Sequence, residues 1–363
     1  MGAEAQVAPY AAVQPQSFSL IGSSDVLEDA FAACVAEGIE RLSTVERAGD
    51  AVTLPHSAET LARIMPAARE LIDLLLGTSR RPATGWMAAR MLSDNGEALV
   101  PADWCLRRAE QGPLRQPGTA LSTGVAAGRT FKSAATHALL ELIERDAAAL
   151  WWIGGRRGRP LALDDPASHA ASSLLSTLRA GTSRRATWLL DITTDLDIPC
   201  IAAVSVKEDG FGLCCGLAAR LTRAEAARAA ILEMCQIELG LLLAHAKQHA
   251  GHTLAPADHI HLARAERIDA DSCALLHPTG SPRPADVIPA PADALAHLAK
   301  ALDRGQITAA LVDLTRPDFA IPVVRAIAPQ LQPMPGARVT ARLARTMAAT
   351  GGGSSWTGGT ALL

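Results

Sequence analysis

Two stretches of the chain, about a hundred residues apart, share the pattern Glu-x-Ile-Glu-Arg. The first is EGIERLS, from Glu37, and the second is ELIERDA, from Glu141. Residues three and four positions apart share one face of a helix, so each copy presents two carboxylates and an arginine together. A third stretch, EMCQIE, places Glu233 and Gln236 at the same spacing. Carboxylates arranged in this way could bind divalent cations.

Small residues frame these acidic faces. Alanine stands seven positions before each leading glutamate, at residues 30, 134 and 226, where a solvated helix face would carry lysine, glutamate or glutamine. From Ala134 to Trp152 almost every residue outside the acidic face is apolar, which predicts a largely buried helix. Buried carboxylates need compensating charge, and one arginine neutralises only half of each pair. We therefore predict a site for Mg²⁺ and a nucleotide where three helices converge.

A purely structural interpretation of the same residues stays open. Glutamate and arginine four residues apart stabilise many helices and need no ligand. The chain also lacks the Gly-x-x-x-x-Gly-Lys-[Ser/Thr] motif of P-loop proteins. The run GVAAG, with Ser122 ahead of it, could approach phosphates through backbone amides, but such runs are more often tight turns.

Composition narrows the class of protein. The 363 residues are 49% apolar and 20% charged, with a net charge of −3, which predicts a globular protein and gives no reason to expect a nucleic-acid or membrane surface. The seven cysteines show no Cys-x-x-Cys spacing. Unpaired, scattered cysteines and the absence of a signal-like N-terminus predict a cytoplasmic protein.

The order of glycines, apolar runs and capping residues predicts a single mixed α+β domain. Three glycine-containing stretches each lead into an alanine-rich helix, with helix starts predicted at Asp25 and Thr222. The segments WLLDITTDLDIPCIAAV and ALVDLTRPDFAIPVVRAI match each other and predict two β-hairpins. We expect repeated strand–helix units around a central nucleotide site over residues 18–340, with flexible segments at 1–17 and 341–363.

Three motifs, in order along the chain, resemble those of the YcaO family of ATP-dependent enzymes that modify peptides. They are AEGIERLS, STGVAAGRTFKSAATHALLELIERDA and AAILEMCQIE, and the similarity runs over roughly residues 18–340. The resemblance implies Mg²⁺-dependent phosphorylation of the oxygen of a peptide-backbone amide by ATP, after which a nucleophile attacks the carbon and phosphate leaves. A Cys, Ser or Thr side chain of the substrate would give an azoline, sulfide a thioamide, and an amine an amidine.

The resemblance also implies roles for individual residues. Those that would bind Mg²⁺ and phosphates are Glu37, Glu40, Glu141, Glu144, Glu233 and Gln236. Those that would contact the nucleotide are Arg41, Arg145 and Ser122. The chain departs from the family at its C-terminus, where SSWTGGTALL stands in place of a Pro-x-Pro-x-Pro tail.

The resemblance favours azoline formation on a ribosomally made precursor peptide, with thioamide or amidine formation as alternatives. The sequence shows no large N-terminal extension for gripping a leader peptide, so we expect a separate leader-binding partner protein. A homodimer is also compatible with the sequence. A different class of function stays open, in which the chain is a catalytically idle subunit that binds peptide or a partner.

Overall fold

A computed structural model of the chain describes residues 2–7, 16–22, 24–50, 68–77, 85–107, 122–162, 164–180, 184–284, 291–336 and 338–363. The strands are β1 (Gly2–Val7), β2 (Gln16–Ile21), β3 (Trp86–Met91), β4 (Glu97–Pro101), β5 (Val125–Ala127), β6 (Arg159–Pro160), β7 (Arg185–Asp191), β8 (Cys200–Lys207), β9 (Cys214–Ala219), β10 (Ala310–Asp313) and β11 (Val323–Ile327). The helices are α1 (Leu27–Ser43), α2 (Arg69–Gly77), α3 (Phe131–Trp152), α4 (Pro166–Arg179), α5 (Arg223–His249), α6 (Pro256–Arg267), α7 (Ala294–Arg304), α8 (Ala341–Thr350) and the single turn α9 (Ser354–Thr357). The predicted α+β class is confirmed.

The chain divides into two compact units, and the single domain over residues 18–340 stays a prediction. One unit comprises Met1–Leu142 and Asp293–Arg338, and the other comprises Ile143–Ala292 and Val339–Leu363. The first contains the hairpin β1-β2 and an antiparallel sheet in the order β4-β3-β10-β11-β5; the second contains an antiparallel sheet in the order β6-β7-β8-β9. The boundary between the two units falls within α3.

Each unit has its own apolar core. In the first, Ile39 of α1 and Ile72 of α2 are buried with Val100 and Val312 from the sheet. In the second, the alanine-rich face of α5 packs against β8 and β9 through the small residues Ala203, Cys214, Ala218, Ala226, Ala227 and Ala230. Small side chains let the helix lie close to the sheet, which explains why a protein with few aromatics still buries a dense core.

Both predicted hairpins form, and the same local chemistry builds each turn. β7 pairs with β8 and β10 pairs with β11, both antiparallel. In the first turn Asp191 accepts a hydrogen bond from the Thr193 N–H at 2.9 Å, and the Thr193 hydroxyl accepts from the Cys200 N–H at 3.0 Å. In the second, Asp313 accepts from the Thr315 N–H at 2.8 Å, and the Thr315 hydroxyl accepts from Val323. The repeated Asp-x-Thr sequence therefore encodes a repeated turn.

The two predicted helix starts have different outcomes. Thr222 is the N-cap of α5, with its side chain accepting a hydrogen bond from the Glu225 N–H, as predicted. The prediction at Asp25 is wrong, because α1 begins at Leu27 after the N-cap Val26. There the Ser24 hydroxyl accepts from the Val26 N–H at 3.2 Å, which replaces the expected cap.

The C-terminal segment corrects the prediction that residues 341–363 are flexible. They form α8 and α9, and the side chain of Leu362 is fully buried. The Trp152 indole donates to the Thr360 carbonyl at 2.7 Å, and the Gly353 N–H donates to the Ile153 carbonyl at 2.7 Å. The glycines serve close packing here, since a Cβ at Gly353 would lie 1.8 Å from the Trp152 carbonyl oxygen.

Two further expectations concern the N-terminus and the membrane. Within the predicted flexible segment 1–17, residues 2–7 form β1, which pairs with β2, and residues 8–15 lie outside the described residues. Helix α5 has the length and composition that could cross a membrane. Core helices pass the same test, and α5 packs against α4, α6, β8 and β9.

Candidate functional site

The helix with the second Glu-x-Ile-Glu-Arg copy is largely buried, as predicted. From Ala134 to Trp152, α3 exposes little beyond His137, and Trp151, Ile143 and Asp146 are fully buried. A turn at residues 122–124 precedes β5 and α3, and Gly124 adopts φ +78° there. A Cβ at Gly124 would lie 2.7 Å from Leu142 Cδ2, so the turn can approach the helix only with glycine. Close approach brings backbone amides within reach of the carboxylates.

In the first unit, Glu40 lies between α1 and β5. Its Oε1 accepts a hydrogen bond from the Ala127 N–H at 2.7 Å. Among the described strands β5 is at the edge of its sheet, and on that outer side its N–H pairs with the carboxylate. Burial, followed by the nearby charges of Glu141 and Glu37, raises the pKa of Glu40 to about 7, although the Ala127 hydrogen bond opposes the shift.

Glu141 contacts the turn that precedes β5. Its Oε2 accepts from the Gly124 N–H at 2.9 Å. The buried Arg325 guanidinium, on β11, donates to the carbonyl of Thr123 in the same turn. Arg325 therefore fixes the backbone whose amide orients Glu141. Sequence analysis missed this role of Arg325, because Arg325 lies about two hundred residues from the turn.

Glu37 and Arg41 form the pair that the structural interpretation expected. The Arg41 guanidinium lies 2.5 Å from Glu37 Oε1, and both side chains remain about one third exposed. Arg107 lies nearby, since the charge of Arg41, after burial, lowers the pKa of Arg107. The charges of Glu37 and Glu141 therefore both act on the carboxylate of Glu40. Arg41 and Arg107 lie beside this group.

The second unit repeats this arrangement on a different edge strand. Glu233 Oε2 accepts from the Leu217 N–H at 2.9 Å, and Glu144 Oε2 accepts from the Ala219 N–H at 3.1 Å. Both amides belong to β9, the edge of its sheet, and alternate residues of a strand direct their amides to the same side. Two carboxylates from two helices therefore meet along one strand edge.

Glu144 is the more deeply buried of these two acids. Desolvation raises the pKa of Glu144; Arg145 lowers it and Glu233 raises it further. The Arg145 guanidinium lies 3.7 Å from Glu144 Oε1, longer than a hydrogen bond. Arg220 also lowers the pKa of Glu144, yet burial and Glu233 keep it above the usual value.

The remaining predicted residues take less defined positions. Gln236 is half-buried on α5, one turn after Glu233, which fits the predicted shared face. Ser122 is exposed at the start of the turn that carries Gly124. The structure thus gathers Glu37, Glu40 and Glu141 in one unit and Glu144 and Glu233 in the other, whereas the convergence of all three helices stays a prediction.

The donor chemistry of these residues fits Mg²⁺. All the predicted ligands are carboxylate or amide oxygens, the donors that Mg²⁺ prefers. Burial and the charges of Glu141 and Glu37 raise the pKa of Glu40, and a divalent cation would stabilise its charged form. Among the described residues, no three His, Cys, Asp or Glu side chains alone stand close enough to hold a metal. Mg²⁺ commonly uses one or two protein carboxylates together with substrate phosphates.

Comparison with known proteins gives the class of this fold. A structure described as a heterocyclase in complex with substrate and cofactor is similar at a TM-score of 0.67, with 22% identity, over 88% of this chain and 45% of that one. YcaO from Methanopyrus kandleri, bound with AMPPCP and Mg²⁺, gives a TM-score of 0.62 with 18% identity, over 91% and 82%. The E. coli microcin synthetase McbBCD complex with pro-MccB17 bound gives 0.60 with 14% identity, over 91% and 87%.

The sequence comparisons define the family. A profile of the YcaO cyclodehydratases, described as ATP- and Mg²⁺-binding, matches residues 21–332, so the chain belongs to the YcaO family. A Rhizobium leguminosarum bv. trifolii protein, described as uncharacterized and encoded in the tfuA 3′ region, is 33% identical over 121 residues. That match covers 33% of this chain and 28% of the relative. The chain thus spans less than half of the length of that relative and of the heterocyclase.

Proposed function

We propose that this chain uses ATP and Mg²⁺ to phosphorylate the oxygen of a backbone amide in a peptide. The observation that carries the proposal is the pair of buried glutamates, Glu40 and Glu144. Each is fixed by a backbone amide of an edge strand, and each has a pKa raised by burial, with a neighbouring glutamate adding to the shift. Membership of a family described as ATP- and Mg²⁺-binding supports the same assignment.

The chain's own residues would hold and orient the reactants. Bound Mg²⁺ supplies compensation for the charge of the transferring phosphoryl group. Glu40, Glu141, Glu144 and Glu233 each keep one oxygen on a strand or turn amide, so their orientation is set before any ligand binds. We assign Gln236 and Glu37 to the same ligand set, and Arg41, Arg145 and Ser122 to nucleotide contacts.

We assign an azoline as the first candidate product, formed when a Cys, Ser or Thr side chain of the peptide attacks the activated carbon. The fold shared with a heterocyclase, described with bound substrate and cofactor, supports this choice. The similarity to a synthetase complex with pro-MccB17 bound supports a precursor peptide as substrate and a separate partner protein. The chain would then work within an assembly.

Thioamide formation is the second candidate product. The observation that favours it is the relative encoded in the tfuA 3′ region, because a TfuA-type neighbour is the context that we associate with thioamides. The activation step is the same in both cases, and sulfide replaces the side-chain nucleophile. The carboxylate sites of this chain serve either outcome, so the distinction depends on what supplies the nucleophile.

The proposed phosphorylation is tested by tracing the oxygen of the peptide amide with ¹⁸O. The purified chain is incubated with Mg²⁺, ATP and an ¹⁸O-labelled precursor peptide encoded beside its gene, with the neighbouring proteins added in turn. The proposal predicts ¹⁸O in the released phosphate, with loss of water from the peptide for an azoline or exchange of oxygen for sulfur for a thioamide. Product without label in phosphate, or ATP that neither binds nor turns over under any combination, would contradict it.

A further inference from the structure

The second unit contains a groove that the carboxylate sites do not use. It has a volume of about 600 Å³ and lies between α4 and the outer part of β7. Its lining includes Leu161, Ser168, Ser172, Thr187, Leu189 and His277. Within the sheet order β6-β7-β8-β9, the acids bind at β9, two strand spacings or roughly 10 Å from β7. The groove is therefore separate from the reacting groups.

The strand beside the groove extends beyond its outer partner. β6 pairs with Leu190 and Asp191, and no described residue pairs in the sheet with Arg185–Leu189 on that side. The Ile192 N–H donates to Cys200 on the β8 side, and the direction of main-chain groups alternates along an antiparallel strand. The N–H groups of Thr187 and Leu189 therefore face away from β8, toward the groove.

The exposure along β7 agrees with an open edge. Every residue of β8 from Cys200 to Val206 is buried, whereas Thr187, Trp188 and Leu189 are only half-buried. Burial on β7 becomes complete at Leu190, where β6 begins to pair. At the other end, Arg179 donates to the Arg185 carbonyl and to the Thr187 hydroxyl, which closes the groove there. The open stretch is thus limited at both ends.

We propose that this groove binds an extended segment of the substrate peptide as an added strand along Thr187–Leu189. Strand addition satisfies main-chain groups at an exposed sheet edge and takes side-chain selectivity from pockets on either side. The inference rests on the proposed function in one respect, that the substrate is a peptide. It goes further by placing part of the peptide away from the reacting amide.

The two sides of the groove differ in chemistry. An extended peptide directs alternate side chains to opposite faces. On the helix side the lining is apolar or small, with Ala171, Leu175 and Ile231. On the other side Trp188 stacks on His277, with ring centroids 6.2 Å apart, and Asp271 and Lys207 lie near the rim. We expect alternating apolar and polar residues in the bound segment.

The experiment uses random 12-residue peptides displayed on their mRNA as the probe and the full-length chain as the target. The variant Ser172→Trp fills the groove, and Ser173→Trp is the matched control, since Ser173 is an exposed neighbour outside the lining. We expect peptides enriched on the wild type to bind Ser172→Trp about tenfold or more weakly, and Ser173→Trp unchanged. Two N-methylated forms of an enriched peptide are compared, one methylated at the odd-numbered amides and one at the even-numbered amides. One form should lose its binding to the wild type and the other should keep it, because a peptide paired along one edge uses only every second amide.

Two outcomes overturn the inference: no peptide is enriched on the wild type relative to Ser172→Trp, or N-methylation in both registers leaves binding unchanged. The N-methyl comparison needs only the wild type, so it decides the matter even where Ser172→Trp fails to fold. Mg²⁺–ATP binding is measured on the same samples. Peptide binding without ATP binding would support the peptide groove and contradict the proposed function. ATP binding without peptide binding would support the proposed function and contradict the peptide groove.

Discussion

At the residue scale, the carboxylates of this protein are placed by backbone amides more than by arginines. The salt bridge between Glu37 and Arg41 is a surface pair of the ordinary kind, worth little to stability. Glu40 and Glu144 differ, because each accepts an N–H from an edge strand and each is buried with another acid nearby. Such a site is costly without a ligand and favourable with a cation.

The raised pKa values predict how stability depends on pH. A carboxyl group whose pKa is about 7 when folded and 4.5 when unfolded binds more protons in the folded state between those values. The free energy of unfolding of the metal-free protein should therefore fall as pH rises from about 4.5 to 7. We expect Glu40→Gln to flatten part of this decline in urea titrations at several pH values.

The control for this prediction is Glu225→Gln, an exposed first-turn residue of α5, which should leave the pH profile unchanged. Adding Mg²⁺ and ATP should weaken or reverse this decline between about pH 4.5 and 7, since protons and cations compete for the same carboxylates. A Glu40→Gln variant with the wild-type pH profile would show that this group is not the source of the effect.

At the element scale, glycines decide how closely the alanine-rich helices approach their strands. A Cβ at Gly216 on β9 would lie 2.1 Å from the Ala230 carbonyl oxygen and 2.3 Å from the Met234 nitrogen of α5. Gly22 contacts Ala30 and Cys34 of α1 just as closely. These contacts explain why glycine-containing stretches precede the alanine-rich helices in the sequence.

Alanine should have opposite effects on the stability of the protein at two glycines, Gly216 and Gly240. Gly216→Ala should destabilise the protein by about 3 kcal/mol or more, because α5 must move away from the strand whose amides bind Glu144 and Glu233. Gly240→Ala, within α5, meets nothing closer than 3.7 Å and should stabilise it by about 0.5–1 kcal/mol through helix propensity. Chemical denaturation measures both, and equal effects would contradict this explanation.

Much of the secondary structure could be predicted from local sequence, whereas the backbone amides that bind Glu40 and Glu144 could not. The two Asp-x-Thr hairpins and the Thr222 cap depend on residues within ten positions of each other, so their sequences specify them. The partners of Glu40 and Glu144 lie 87 and 75 residues away and are backbone groups, which carry no sequence signature. The glutamate spacing indicated carboxylate sites but not what orients them.

At the scale of the whole molecule, the C-terminal segment is part of the second unit rather than a free tail. Arg342 of α8 donates to Asp146, which is fully buried on α3, and to Asp195. Glycine-rich sequence usually indicates flexibility, and here it permits close contact with the end of α3. The sequence could not show this, because both uses of glycine look alike without the partner.

Removing the Arg342 side chain should therefore destabilise the second unit strongly. Arg342→Met removes the ion pair between Arg342 and the buried Asp146 carboxylate and should cost about 3–5 kcal/mol of unfolding free energy. Arg345→Met, on the exposed face of the same helix, should change it by less than about 0.5 kcal/mol. The double variant Asp146→Asn with Arg342→Met should recover part of the loss. A flexible tail would instead give no loss for Arg342→Met in urea titrations.

The central claim is that buried glutamates hold Mg²⁺ against a nucleotide rather than only stabilise helices. The most direct test compares the affinity for ATP at millimolar Mg²⁺, by calorimetry, with the melting temperature of the ligand-free protein, for the wild type, Glu40→Gln, Glu144→Gln and Glu225→Gln. We expect both buried variants to lose about tenfold or more in affinity for ATP, or at least about 1.4 kcal/mol, with an unchanged or higher melting temperature. Lower melting temperatures with unchanged ATP affinity in both would contradict it.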